Sequence, residues 1–171
     1  RTMGRERDGM TGIDRSFYQM AREIQSLDEK ELYHRMRRSF EAVPAETQKS
    51  CADFFNQFLY WGRLDPANGI FEEIEWKQKA LTGHMEDFIW VYERLGDYRS
   101  KKTLYAILNN WYCYDFATPA QARETLFESY FDLDLVSCTS EEVVVDLGAY
   151  TGDTALSYLR NYGEDGYKRM Y

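Results

Sequence analysis

The stretch VVVDLGAYTGDTALSYL, Val143 to Leu159, decides how the fold is read. Val143 to Leu147 is short, β-branched and apolar on both faces, as a central parallel strand should be. Gly148 to Gly152 is a turn. A helix is predicted from Asp153 or Thr154, either of which can cap it, to about Tyr162, with Gly163 ending it. In such a unit a ligand sits beyond the carboxyl end of the strand. Gly148 would let the backbone approach that ligand, Gly152 would allow the turn and close helix packing, and Asp146 would face the crevice. Just upstream, YFDLDLV (Tyr130–Val136) alternates apolar and acidic residues and predicts a short edge strand. Asp132 and Asp134 would then lie on its solvent face, where charge blocks aggregation.

The loop chemistry separates two cofactors. Dinucleotides prefer G-x-G-x-x-G, whose helix N-terminus meets a pyrophosphate. Here the pattern is G-x-x-x-G, with Ala149, Tyr150 and Thr151 between the glycines, and Asp153 would repel a pyrophosphate. An acid, a spacer and G-x-x-x-G suits S-adenosylmethionine, whose sulfonium and ammonium groups a carboxylate such as Asp146 can hold. The same residues also fit a plain strand-to-helix turn whose glycines serve backbone shape alone. A P-loop is disfavoured by the acidic loop and the missing lysine.

Upstream the chain reads as helix after helix. Residues 1–12 are polar and expected to form a disordered tail. Asp14 is placed as the cap of a helix carrying Phe17, Met20, Ala21 and Ile24, and SLDE (Ser26–Glu29) as a capping box for a helix from about Leu27 to Val43. Pro44 suits the first turn of a third helix, with Cys51, Phe54, Phe55, Phe58 and Leu59 as its buried stripe. GRLDPANG (Gly62–Gly69) reads as a loop. Two stripes follow, Ile70 to Leu81 and Met85 to Leu95, the first opening on EEIE and the second stopped by Gly96. Ser100 is placed as the cap of a helix facing inward with Leu104, Ile107, Leu108 and Trp111. TPAQ (Thr118–Gln121) is placed as the start of a helix through Ala122, Leu126, Phe127 and Tyr130.

Composition narrows the function classes. Of 171 residues, 44% are apolar and 16% aromatic, enough for a core of large rings. The formal net charge of −8 opposes nucleic-acid binding. The basic run HRMRRSF (His34–Phe40) is diluted by Asp28, Glu29, Glu31 and Glu41 and reads as a solvated helix face. Three widely spaced cysteines and two isolated histidines suggest reduced thiols and no metal site. With no apolar run of eighteen residues, no membrane partner is expected, and the localisation read from the sequence is cytoplasmic.

EEVVVDLGAYTGDTALSYL, followed by YGEDGYKRMY, resembles the FkbM-type methyltransferases, which share an E-x-x-x-V-D-x-G-A-x-x-G-D-[ST] segment. YERLGDYRSKKTLYAILNNWYCYDF and ESYFDLDLV are similar to the lead-in of bacterial members, so the resemblance covers roughly residues 88 to 171. It implies S-adenosylmethionine as cofactor, with contacts from Asp146, Gly148, Ala149, Tyr150, Gly152, Asp153 and Thr154. It also implies a small-molecule or saccharide hydroxyl as methyl acceptor. The implied fold is mainly α: a helical region over 13–130, then over 131–171 the first β-α(-β) unit of a Rossmann-like methyltransferase domain. In the family, the strand begun by YKRMY continues into an acid that grips the ribose. This chain stops at Tyr171 and starts at Arg1, so it reads as a fragment, catalytically inert by itself, with its catalytic residues unassigned. The competing expectation is a non-enzymatic helical module that associates with a second copy of itself through an exposed strand at Val143 to Leu147.

Overall fold

Asp14 shows how the helical part is held. In the computed structural model, which describes residues 10–59, 62–123, 126–128 and 130–171, helix α1 (Gly12–Gln25) is capped by Thr11, not Asp14. Asp14 is the third residue of that capping box, and it is buried. Its Oδ2 accepts from the Thr11 N–H at 2.8 Å and hydroxyl at 2.7 Å. Its Oδ1 accepts from the Tyr92 hydroxyl at 2.9 Å and the Lys101 ammonium at 3.0 Å. A carboxylate out of water needs such donors. Of the tail expected over 1–12, residues 1–9 lie outside the described residues, while Thr11 and Gly12 already open α1.

The following helices are α2 (Glu29–Ala42), α3 (Ala45–Gln57), α4 (Glu72–Arg94), α5 (Tyr98–Cys113) and α6 (Ala117–Ala122). Several caps are shifted from their expected residues. Asp28 caps α2 in a box with Glu31, while Ser26 closes α1 and donates to the Glu23 carbonyl. Asp97 caps α5 by accepting from the Ser100 N–H at 2.8 Å, so Ser100 is a donor there. Asp115, not Thr118, takes the free N–H groups of Ala117 and Thr118 at the start of α6. In each case a carboxylate lay within reach of the same donors, and a charged acceptor bonds a helix N-terminus more strongly than a hydroxyl. Helix α6 ends at Ala122, short of its expected run, and Leu126 is exposed; residues 124, 125 and 129 of that run lie outside the described residues.

Two expected helical stripes join into α4, which kinks where His84 takes a non-helical conformation. GRLDPANG is more than a loop: β1 (Leu64–Asp65) and β2 (Ile70–Phe71) pair antiparallel across it, with Gly69 left-handed at the turn. Helix α3 buries no residue fully. Phe54 and Leu59 are exposed, and Phe54 packs on Phe55 and Phe58 with ring centroids 5.2 and 5.0 Å apart.

The core gathers one face of each of α1, α2, α4 and α5, through Phe17, Ile24, Leu32, Met36, Phe40, Leu81 and Leu108. Phe17 stacks on Tyr92 with centroids 3.7 Å apart. A second buried carboxylate, Glu73, joins the start of α4 to the end of α5. Its Oε2 accepts from the Tyr114 hydroxyl at 2.5 Å. The Lys77 ammonium closes onto Oε1 as an ion pair, not as a well-angled hydrogen bond. Tyr114 holds a left-handed conformation at φ 53°, which costs an L-residue about 1–2 kcal/mol. Its bond to Glu73 offsets that cost. Gly62 (φ +83°) is required by close approach, since a Cβ there would lie 2.9 Å from the Glu73 nitrogen.

On α2 two arginines of the basic run are paired, Arg35 with Glu23 at 3.0 Å and Arg37 with Glu41 at 2.8 Å, while Met36 and Phe40 point inward. No helix among the described residues is long and apolar enough to cross a membrane. Mainly helical architecture is therefore the outcome for the fold class. The chain divides into two compact units, Arg1–Arg123 and Glu124–Tyr171, where the sequence placed the division between residues 130 and 131.

In the second unit the expected edge strand over Tyr130–Val136 is absent: Leu135 and Val136 donate back to the Asp132 carbonyl, closing a turn. The expected strand over Val143–Leu147 shrinks to β3 (Val143–Val144). It pairs in parallel with β4 (Arg169–Met170), and α7 (Asp153–Tyr162) lies between them in sequence.

Burial alone would raise the Asp14 carboxyl, but the bonds from Thr11, Lys101 and Tyr92 hold it well below the usual value of 3.8. A carboxylate favoured in this way stabilises the fold fully above its unfolded pKa and less as pH falls below it. Asp14→Asn should cost about 2 kcal/mol at neutral pH. In urea unfolding followed by circular dichroism, the gap to wild type should narrow below about pH 4. A gap independent of pH would remove Asp14 from this role.

Candidate functional site

The glycine loop follows β3 directly. Gly148 (φ +96°) and Gly152 (φ +76°) are both left-handed, a region closed to most side chains. Two short bonds fold the loop, from the Tyr150 N–H to the Gly148 carbonyl at 2.7 Å and from the Gly152 N–H to the Ala149 carbonyl at 2.6 Å. Backbone shape is what both glycines satisfy within the chain: a Cβ on either would meet nothing within 4 Å. Close helix packing at Gly152, expected from the sequence, is thus not the reason for that glycine.

Helix α7 begins without the expected cap. Gly152 occupies the cap position, and no side chain accepts from the first turn. Asp153 is the first helical residue and takes the Thr151 hydroxyl at 3.3 Å instead. Gly163 ends the helix as expected, its N–H returning to the Leu159 carbonyl at 2.9 Å. The N-terminus of α7 therefore presents its positive dipole end beside the loop without a side-chain acceptor.

A cavity of about 180 Å³ opens beneath the loop. Val144, Val145 and Asp146 line it from the first strand and Met170 from the second. Thr154, Ala155 and Tyr158 line it from α7, and Tyr130 and Phe131 complete the wall. Asp146 donates its backbone N–H to the Tyr171 carbonyl at 2.9 Å, which fixes the residue at the strand end. One of its side-chain oxygens, Oδ2, is buried with no hydrogen-bond partner. Such an oxygen is costly unless something supplies a donor or a cation.

Of the seven residues expected to contact a cofactor, Asp146 and Thr154 share this cavity. Gly148, Ala149 and Tyr150 form the exposed loop beyond it, and Gly152 and Asp153 form the start of α7. The sequence reading missed the aromatic wall. Phe131 packs edge-on against Tyr158 and Tyr162, each with centroids 5.9 Å away. The signal available was the helical spacing of Thr154, Ala155 and Tyr158, which puts them on one side of α7. Burial, followed by a bond to Cys138, pushes the Tyr158 phenol above its ordinary range, so it stays neutral and donates to the Gly166 carbonyl at 2.7 Å.

The other candidates have structural partners. Glu72 pairs with Arg63 at 2.8 Å, and Glu73 is buried with Lys77 and Tyr114. His84 meets Asp87 at 2.9 Å on the surface. Cys51, Cys113 and Cys138 are free thiols. Among the described residues no group of three or more His, Cys, Asp and Glu side chains is arranged to hold a metal ion. No family model, curated protein or solved structure matches this chain.

The loop geometry carries a direct test. Gly148→Ala should destabilise the C-terminal unit by about 1–2 kcal/mol through its positive φ. Hydrogen exchange read by mass spectrometry should show faster exchange over residues 143–162 and unchanged exchange over α1 to α5. Unchanged exchange in the loop would mean that the left-handed turn does not set this unit's stability.

Proposed function

We propose that the Asp146–Thr154 loop binds S-adenosylmethionine as the cofactor-binding portion of an O-methyltransferase. One observation carries the reading: Asp146, one of whose side-chain oxygens is buried without a hydrogen-bond partner, lines a cavity at the carboxyl end of a parallel strand. Ligands of strand-loop-helix units sit in that place. A carboxylate there favours a cationic ligand over a phosphate, and Asp153 adds a second negative charge at the same loop. The resemblance of EEVVVDLGAYTGDTALSYL to the FkbM-type enzymes supports the same cofactor and a hydroxyl of a sugar or small metabolite as acceptor.

The residues divide the work. Asp146 would hold a cationic group of the cofactor, and Thr154, with the uncapped first turn of α7, would offer donors to a polar part. Gly148 and Gly152 set the loop path that leaves this end open. When bound, the cofactor would supply a methyl group made electrophilic by its sulfonium. The cavity, about 180 Å³, is below the roughly 300 Å³ at which whole-ligand pockets begin, so it accommodates part of the cofactor. Of the described residues lining it, Asp146 is the one carboxylate, and it faces the cofactor's place, so no general base is assigned. Cofactor binding, not turnover, is the activity expected of these residues.

Calorimetric titration with S-adenosylhomocysteine tests this. The wild-type chain should bind, and Asp146→Asn and Asp146→Ala should each weaken binding about 10-fold or more, the loss expected for a charge-assisted contact. Equal affinity in all three proteins, or no heat of binding in the wild type, would overturn the assignment.

A further inference from the structure

We infer that Tyr130, which lies outside the glycine-loop motif, is a cofactor-binding residue whose ring stacks on the adenine base; the inference rests on the cofactor reading above. Three aromatic residues line the cavity, Tyr130, Phe131 and Tyr158. Phe131 and Tyr158 are buried and pack edge to face in its wall. Tyr130 lines the same cavity yet is 82% exposed, so it stands at the open side.

The backbone at Tyr130 is as unusual as its exposure. The Phe131 N–H returns to the Glu128 carbonyl at 3.1 Å, closing a turn with Tyr130 at its third position. Its φ is 72°, a left-handed conformation that turns give mostly to glycine or asparagine. Among the described residues one other non-glycine residue has a positive φ, Tyr114. That tyrosine is buried and donates its hydroxyl to Glu73 at 2.5 Å, which offsets the backbone penalty. Tyr130 is neither buried nor bonded in that way. Its ring meets that of its neighbour Phe131 edge to face, with centroids 6.5 Å apart, and at 82% exposure a face is open to solvent. A strained residue at the edge of a cavity, with so little gained inside the chain, points to a gain made on binding.

The chemistry of what meets the ring follows from the cavity. At about 180 Å³ it takes part of the cofactor. Of the described residues lining it, Asp146 is the one carboxylate, and it draws the cationic end inward. The uncharged adenosine end then extends past the open side, where Tyr130 stands. An adenine base is flat, and its π-face is the kind of surface an exposed aromatic ring covers.

Calorimetric titration of the full chain with two probes tests the inference: S-adenosylhomocysteine, and methylthioadenosine, which keeps the adenosine and lacks the amino-acid charges. Tyr130→Gly, which relieves the left-handed strain, should weaken binding of both about 10-fold, within the range for one stacked base. Tyr130→Phe keeps the ring and should bind both as the wild type does. Asp146→Asn should weaken S-adenosylhomocysteine alone. Hydrogen exchange over residues 143–162 should be unchanged or slower in Tyr130→Gly, so that binding falls while the fold does not. Wild-type affinity in Tyr130→Gly, with Asp146→Asn still weakened, would overturn this inference and leave the cofactor site standing. A loss in Tyr130→Phe as large as in Tyr130→Gly would overturn it as well, and so would faster exchange in Tyr130→Gly. Absence of binding by the wild type would overturn both readings.

Discussion

A carboxylate taken out of water must find a donor for each oxygen, and the placement of such groups organises both units of this chain. Asp14 collects four donors from the start of α1, from Tyr92 of α4 and from Lys101 of α5. Three helices are thereby registered against one another at a single point. Glu73 performs the same task for the start of α4 and the end of α5, and its bond to Tyr114 holds that tyrosine in a left-handed conformation. Around these two points the apolar faces of α1, α2, α4 and α5 close. Asp146 breaks the pattern. Its Oδ2 is buried and without a hydrogen-bond partner, and the residue lines an aromatic-walled cavity.

That contrast gives the functional reading its force. Stability alone would favour filling or pairing such a site, so an unpartnered oxygen at the end of a parallel strand is a cost that ligand binding can offset. The loop around it is consistent with that use. Two left-handed glycines set its path, and the first turn of α7 has no side-chain cap. A cation suits the carboxylate and a polar group suits the free helix end.

Much of the fold was legible because it is governed by local chemistry. The helical stripes of α1, α2, α4 and α5, the positions of Gly148, Gly152 and Gly163, and the strand at Val143 follow from spacing and backbone freedom. The misplaced helix caps share one cause, which is competition between neighbours that spacing does not rank. Thr11, Asp28, Asp97 and Asp115 each outcompeted the expected cap because another acceptor stood within one turn. Long-range pairing was hidden as well: nothing near Asp14 in sequence announces Tyr92 or Lys101. At the site, Asp146 and the loop could be named from the motif. Helical spacing could have added Tyr158, but not Phe131, whose place depends on the turn that replaced the expected strand at Asp132.

The account rests on ligand binding at the loop, and nuclear magnetic resonance of the ¹⁵N-labelled chain reads that location residue by residue. Adding S-adenosylhomocysteine should shift the amide signals of Asp146 through Thr154 and those of Phe131 and Tyr158, while α1 to α5 stay unmoved. Shifts confined to the helical unit, or none at saturating ligand, would contradict the assignment of this loop as the cofactor site.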